Sequence, residues 1–496
     1  MGIRGWISER WQWTDAVVIL LVAAILRLTL LDLRPPQADE GIDGWLAETM
    51  TWSHGYNYRP DVAHGPLHFH LLKLSFAWGG RSYWALRLPT ALFGLGGVAL
   101  CIAFHPFIGR RAAQIAAILM AVSPSFTWVS RYAIHETELV FFTLLCALGI
   151  LRLLGGFSPA GVMLVVGGAV GCLLTKETAL LHLAALVGGL VAASRPWPRT
   201  HLRWQPTTRQ WRQVFCWIGV GAIGLGIVWG FYTGFGRQPD GWTRFADGFT
   251  RWAVIGTGGE EHAKPWWYWL KLLAVYEVPL LAALIASPLL IQGGGRPVRF
   301  FTAASLVLFL GYSLVPYKTP WCLVSLGGFL PLLAGCAFGA MSRGWLAAIR
   351  PVVTLLLVGL AACDCFRLNF WRYSDPAEAH VYAATSADIQ KLARVFDRHL
   401  HVEPYGHEVF GKVVVSLPHP LPWLLGDFMS VDYFDQGRKP PIYDSGFMVV
   451  DAAHIHEAER AVAKNSYFRM AFVLHDGEAP CVLYLRKEIF AATPLQ

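Results

Sequence analysis

Runs of about twenty residues with almost no charge recur along this chain, and they restrict its possible folds more than any other feature. A run of that length crosses the hydrocarbon core of a bilayer as a helix. Inside lipid only helices and closed barrels satisfy their own backbone groups. The runs fall at roughly 14–33, 87–107, 112–130, 138–156, 159–175, 178–194, 213–234, 272–292, 300–315, 322–341 and 351–371, about eleven in all. Only 15% of the residues are charged, against about 25% in an ordinary soluble domain. The sequence therefore predicts an α-helical polytopic membrane protein. The first run has no small-residue cleavage site and is followed by Arg34-Pro35-Pro36, which reads as an uncleaved signal-anchor. Most cysteines lie inside apolar runs without zinc-type spacing and read as small buried hydrophobes.

The charged residues divide between alternate connections. One set holds Arg4, Arg10, Arg110, Arg111, Arg152, the stretch Arg195–Arg212, Arg296, Arg299, Arg343 and Arg350. The other holds Asp39, Glu40, Asp43, Glu48, Asp61, Glu136, Glu177, Glu260 and Glu261. By the positive-inside rule the first set is cytoplasmic, and an odd number of spans puts the C-terminus outside. The expected location is the inner (cytoplasmic) membrane, crossed many times. Residues 1–371 form the membrane domain, with a long first outer loop at 34–86, and residues 372–496 a soluble extracytoplasmic domain. That tail alternates strand-like runs (Val413–Val415, Phe447–Val450, Met470–Leu474, Cys481–Leu485) with helical ones (Ser386–Leu400, Ala453–Ala463), which predicts an α/β fold. No Lys/Arg stripe interleaved with aromatics is present, so nucleic acid is not an expected partner.

Ionisable residues are absent from the middles of most spans and collect at the outer ends and outer loops, which favours a site at the membrane surface over a pathway through it. Asp39-Glu40 follows the first span; taken alone the pair reads as a solvated loop, and the length and aromatic text of the loop it opens favour a base with its partner or a ligand for a divalent cation. The same loop carries His64-Gly65-Pro66-Leu67-His68-Phe69-His70, in which His68 and His70 would share one face of an extended segment. The second outer loop offers Arg131, His135 and Glu136; the third, Lys176 and Glu177. The fourth holds His262, Lys264, Trp266, Tyr268, Tyr276 and Glu277, aromatic platforms for sugar faces or interfacial anchors. The fifth sets Tyr317 and Lys318 between two prolines, where the ammonium can hold a lipid phosphate or snorkel to headgroups.

Asp39-Glu40-Gly41, His64-Gly65-Pro66, Arg87-Leu88-Pro89, Arg131-Tyr132, Lys176-Glu177, His262 with Lys264-Pro265-Trp266, Tyr276-Glu277, Tyr317-Lys318-Thr319-Pro320-Trp321 and Pro420-Leu421-Pro422-Trp423 with Asp427 occur in order along nearly the whole chain. This series resembles the C-type membrane glycosyltransferases, which include the protein O-mannosyltransferases. It resembles most a bacterial and archaeal branch named for an association with flippase activity. His135-Glu136 departs from the two carboxylates that related enzymes often carry there. The resemblance implies a polyprenyl-phosphate sugar donor in the membrane and leaves the acceptor open among glycan, lipid and protein. Asp39 would act as general base on an acceptor hydroxyl, with Glu40 orienting it. Arg131, Lys176, Lys264 and Lys318 would hold the donor phosphate; His64, His135, Glu136, Glu177, His262, Trp266, Tyr268, Tyr276, Glu277 and Tyr317 would contact substrate. Mg²⁺ or Mn²⁺ on Asp39 and Glu136 is the one cofactor expected. A lipid-sugar flippase and a non-catalytic accessory scaffold are the rival readings.

Overall fold

Each apolar run of the sequence folds as a helix, or as two helices meeting at a break. The computed structural model describes residues 3–194, 208–258, 262–341, 344–382, 384–435, 437–462 and 465–494. Glu260, Glu261, Arg343 and residues 195–207 of the basic stretch lie outside them. Two compact units emerge: Met1–Leu31 with Met50–Arg372, and Asp32–Thr49 with Tyr373–Gln496.

Among the described residues of the first unit, six helices are long and apolar enough to cross a bilayer, and a bent pair makes seven. Pro159–Thr175, Ala179–Ala193 and Val278–Gly293 are shorter apolar helices. The chain is a multi-pass membrane protein. In the bent pair, Arg110–Val122 meets Pro124–Ser130 at 61°. Pro124 has no N–H to continue the first helix, and the Ser123 hydroxyl caps the second by accepting from the Phe126 N–H at 3.1 Å. The bend leaves the carbonyls of Met120 and Ala121 without helical partners, and the fully buried Arg27 guanidinium donates to them at 2.8 and 2.9 Å.

Helices Glu136–Leu154 and Pro159–Thr175 pack backbone against backbone. A Cβ at Gly168 would lie 2.6 Å from the Cys146 nitrogen, and one at Gly149 would lie 2.7 Å from the Val165 nitrogen. Small residues permit this approach where lipid supplies no hydrophobic drive. The antiparallel pair brings the turn at Lys176-Glu177 level with the helix start at Glu136.

The second unit is built on a five-stranded sheet in the order β2-β1-β3-β5-β4. Its strands are β1 Gly411–Val414, β2 Val431–Phe434, β3 Phe447–Val450, β4 Tyr467–Phe472 and β5 Cys481–Arg486. β1 runs parallel to both β2 and β3, while β5 is antiparallel to β3 and β4. Alternate strand residues serve two cores. Val413, Phe447, Val449, Leu483 and Leu485 pack with Ile389, Leu392 and Phe396 of helix Ile389–Val402. Val414, Met448, Val450 and Tyr484 pack with Ala458 and Val462 around helix Ile455–Ala461. β2 is the strand that the sequence reading missed. At the sheet edge, with Asp432 exposed, it offers no apolar run.

The stretch 34–86, expected as one long loop, contains two helices, Ala38–Thr49 and Pro66–Gly79. The first belongs with the C-terminal sheet and the second with the membrane helices.

Candidate active site

In the membrane unit a set of charged and imidazole side chains meets at the close-packed helix pair. The Lys176 ammonium pairs with Glu136 Oε1, both nearly buried. Glu177, next along the turn, accepts from the Tyr58 hydroxyl at 2.6 Å and lies 2.6 Å from His64 Nδ1. The Gly65 N–H donates to the Thr175 carbonyl at 3.1 Å, and a side chain at Gly65 would collide with the Leu174 backbone. That contact is the local reason for Gly after His64. His68 Nδ1 is 2.7 Å from Glu138 Oε1, both fully buried. The His135 ring stands 5.1 Å from His64 and 4.4 Å from His68, and Trp252 lies 4.2 Å from His64.

Burial alone would lower the Lys176 ammonium, but the facing Glu136 carboxylate outweighs it and holds the amine above its ordinary value. Burial, then the Lys176 charge, pushes His64 below its usual value despite Glu177. Glu177 itself would be raised by burial, yet His64 and Tyr58 bring it below the usual carboxylate range. His64 Nδ1 and the Glu177 carboxylate are therefore coupled across the 2.6 Å hydrogen bond, the carboxylate accepting. Burial with neighbouring His68 and His64 pushes His135 far down.

Residues 63–225, which hold His64, His68, Arg131, His135, Glu136, Lys176 and Glu177, match the family model for dolichyl-phosphate-mannose-protein mannosyltransferase. The fold is similar to that of ArnT from Cupriavidus metallidurans, solved bound to undecaprenyl phosphate, with a TM-score of 0.62 at 15% identity over 97% of this chain and 98% of that one. The same protein in its apo state gives 0.61 at 16% identity over the same shares. No curated protein matches the sequence. Residues 63–225 are thus similar to that mannosyltransferase family, and the fold of the chain is that of the ArnT structures.

Other expected site residues have bonding of their own in the membrane unit. The Arg131 guanidinium donates to the carbonyls of Leu26, Thr29 and Leu30 at 3.0, 2.6 and 2.6 Å and stacks 4.7 Å from the Phe370 ring centre. Arg87 donates to the Leu31 carbonyl at 2.5 Å. Both close the C-terminal end of the first helix. Residues 262–264 and 316–318 pair as a short antiparallel bridge: Lys264 N–H donates to Pro316 O and Lys318 N–H to His262 O, each at 3.0 Å. The His262 and Tyr317 rings meet across it at 4.9 Å. Lys318 Nζ is buried and donates to the carbonyls of Val315 and Lys264. A phosphate at Arg131 or Lys318 would have to compete with these bonds. Glu277 is buried and accepts from the Ser123 hydroxyl at 2.6 Å and the Ser125 N–H at 2.9 Å, beside buried Tyr276, so it secures the helix bend. Trp266 is largely exposed and Tyr268 partly so, positions open to a sugar or a headgroup.

His68 and His70 do not share a face, because their segment is helical. His68 turns to Glu138, whereas His70 Nδ1 bonds the Pro66 carbonyl at 2.8 Å. At Glu136 the donor set is one carboxylate already matched by Lys176, with the Cys322 thiol 3.8 Å away. An Mg²⁺ or Mn²⁺ ion there would have to draw Glu136 away from Lys176 and find further oxygen ligands. Tyr58, Glu138 and Trp252 join the network without having been singled out as site residues. Their partners are 119, 70 and 188 positions away in sequence, and no local motif marks them.

The acidic pair belongs to the C-terminal unit, where it opens helix Ala38–Thr49. Gln37 Oε1 accepts from the Asp39 N–H at 2.7 Å, and Glu40 Oε2 accepts from the Gln37 N–H at 3.2 Å. This reciprocal arrangement is a capping box. Glu40 is fully buried in it, and Asp39 stays partly exposed.

Proposed function

We propose that the enzyme moves a sugar from a polyprenyl-phosphate donor to an acceptor hydroxyl on the extracytoplasmic face, with Asp39 as general base. The carrying observation is the unequal fate of the two adjacent carboxylates: Glu40 is buried as a helix cap, while Asp39 at the second helical position keeps access to solvent. The acceptor oxygen attacks the anomeric carbon as its proton passes to the Asp39 carboxylate. The carbon–phosphate oxygen bond breaks, and polyprenyl phosphate leaves with inversion. The undecaprenyl phosphate of the ArnT structure and the mannosyl-phosphate donor named by the family model support a donor of this class. The split of basic and acidic connections supports the extracytoplasmic side.

The reading is tested by incubating purified protein with a panel of polyprenyl-phosphate sugars. Release of polyprenyl phosphate together with a new glycosidic bond is expected from at least one donor. Movement of intact lipid-sugar between leaflets, with no release, would replace transfer by translocation.

A further inference from the structure

Pro420-Leu421-Pro422-Trp423, a motif of the C-terminal unit, has no part in the chemistry above, yet it touches the helix that carries Asp39. Helix Ala38–Thr49 packs on the short helix Leu421–Leu424. At the contact, a Cβ on Gly41 would fall 2.6 Å from Pro420 Cα, so even a methyl group has no room. The turn is itself anchored. The Leu421 N–H donates to the Pro418 carbonyl at 2.8 Å, and Trp423 and Leu424 N–H donate to the Pro420 carbonyl at 3.1 Å. Leu421 and Leu425 enter the sheet core with Phe396 and Phe447. At the front of the segment Arg34 acts on buried His380, so the segment meets the C-terminal fold at two points. Gly41 follows Asp39 by two residues, about 200° around the helix. The contact therefore backs the helix while the Asp39 side chain leaves from the opposite face.

We infer that this turn is the seat that positions Asp39, making the C-terminal unit a working part of the transferase. Gly41 and Pro420 are positioning residues: they act through the helix that bears Asp39. The inference rests on the Asp39 assignment made above.

The test compares Gly41→Ala, Pro420→Gly and the double variant of the full chain, using the donor with the highest turnover in the polyprenyl-phosphate panel. Alanine is a better helix former than glycine, so a loss in Gly41→Ala does not come from helix propensity. Misplacement by about 1 Å is expected to lower kcat by roughly 10–100-fold with donor KM held within about twofold. The double variant keeps the residue 420 Cα 2.6 Å from the added methyl, so its kcat should be no higher than that of Gly41→Ala. Hydrogen exchange gives the second readout: amides of 38–49 should lose protection in each single variant while β1, β3 and β5 keep theirs. If added bulk in Gly41→Ala unfolds the sheet, Pro420→Gly, which only removes atoms, decides. Unchanged exchange in 38–49, or loosened exchange with wild-type kcat, overturns the seat. Full turnover in Asp39→Asn would instead remove the base, with the exchange result standing apart from it.

Discussion

Lys176 and Glu136 face each other almost without solvent, and each charge there depends on the other. Taking one away leaves the second buried and unmatched, which costs about 3–5 kcal/mol in comparable pairs. Lys176→Met is therefore expected to lower thermal stability in detergent by that order, and adding Glu136→Leu should restore most of it. A single-variant loss below about 1 kcal/mol would mean that water reaches the pair. The residue types of this network were legible in the sequence, since His64, His135, Glu136, Lys176 and Glu177 all stood out in short motifs. Their pairing was not. Whether Lys176 would hold phosphate, bond Glu177 or bond Glu136 depends on how two helices 40 residues apart in register come together. Arg131 teaches the opposite lesson: a phosphate-like motif position is occupied with capping a helix end a hundred residues earlier.

Among the elements, the helix bend at Ser123 shows how local chemistry and long-range packing share one job. The sequence reads as one span over 112–130 although Pro124 breaks it, and the closure of that break by Glu277 is not legible because the residues are 154 apart. Glu277→Leu would strand the Ser123 hydroxyl and the Ser125 N–H. A loss of about 1–3 kcal/mol is expected for each buried polar group left unmatched, read as a lower melting temperature, and Ser123→Ala should lose less. No change in Glu277→Leu would contradict the anchoring role. Apolar runs identified the helices because burial in lipid imposes a length and a composition on them. Helix Ala38–Thr49 escaped that logic. It is polar, follows the first apolar run and reads as loop, and its place is decided by Gly41 against Pro420, nearly four hundred residues away.

At the scale of the whole molecule, two units of different chemistry divide the work. The C-terminal unit carries a pH signature of its own. Burial and the Arg34 charge push His380 down to about 3. Below its ordinary value near 6.5 the unfolded chain takes up a proton that the folded one refuses. Stability should thus fall as pH drops from about 6.5 toward 3, by up to about 1.4 kcal/mol per unit. His380→Gln should flatten the melting temperature over that window, and an unaltered slope would assign the effect to other groups. The decisive measurement remains turnover by Asp39→Asn, followed as polyprenyl phosphate released from the preferred donor by protein that still folds and inserts. The account predicts a loss of about 10²–10⁴-fold. Release at the wild-type rate would contradict it.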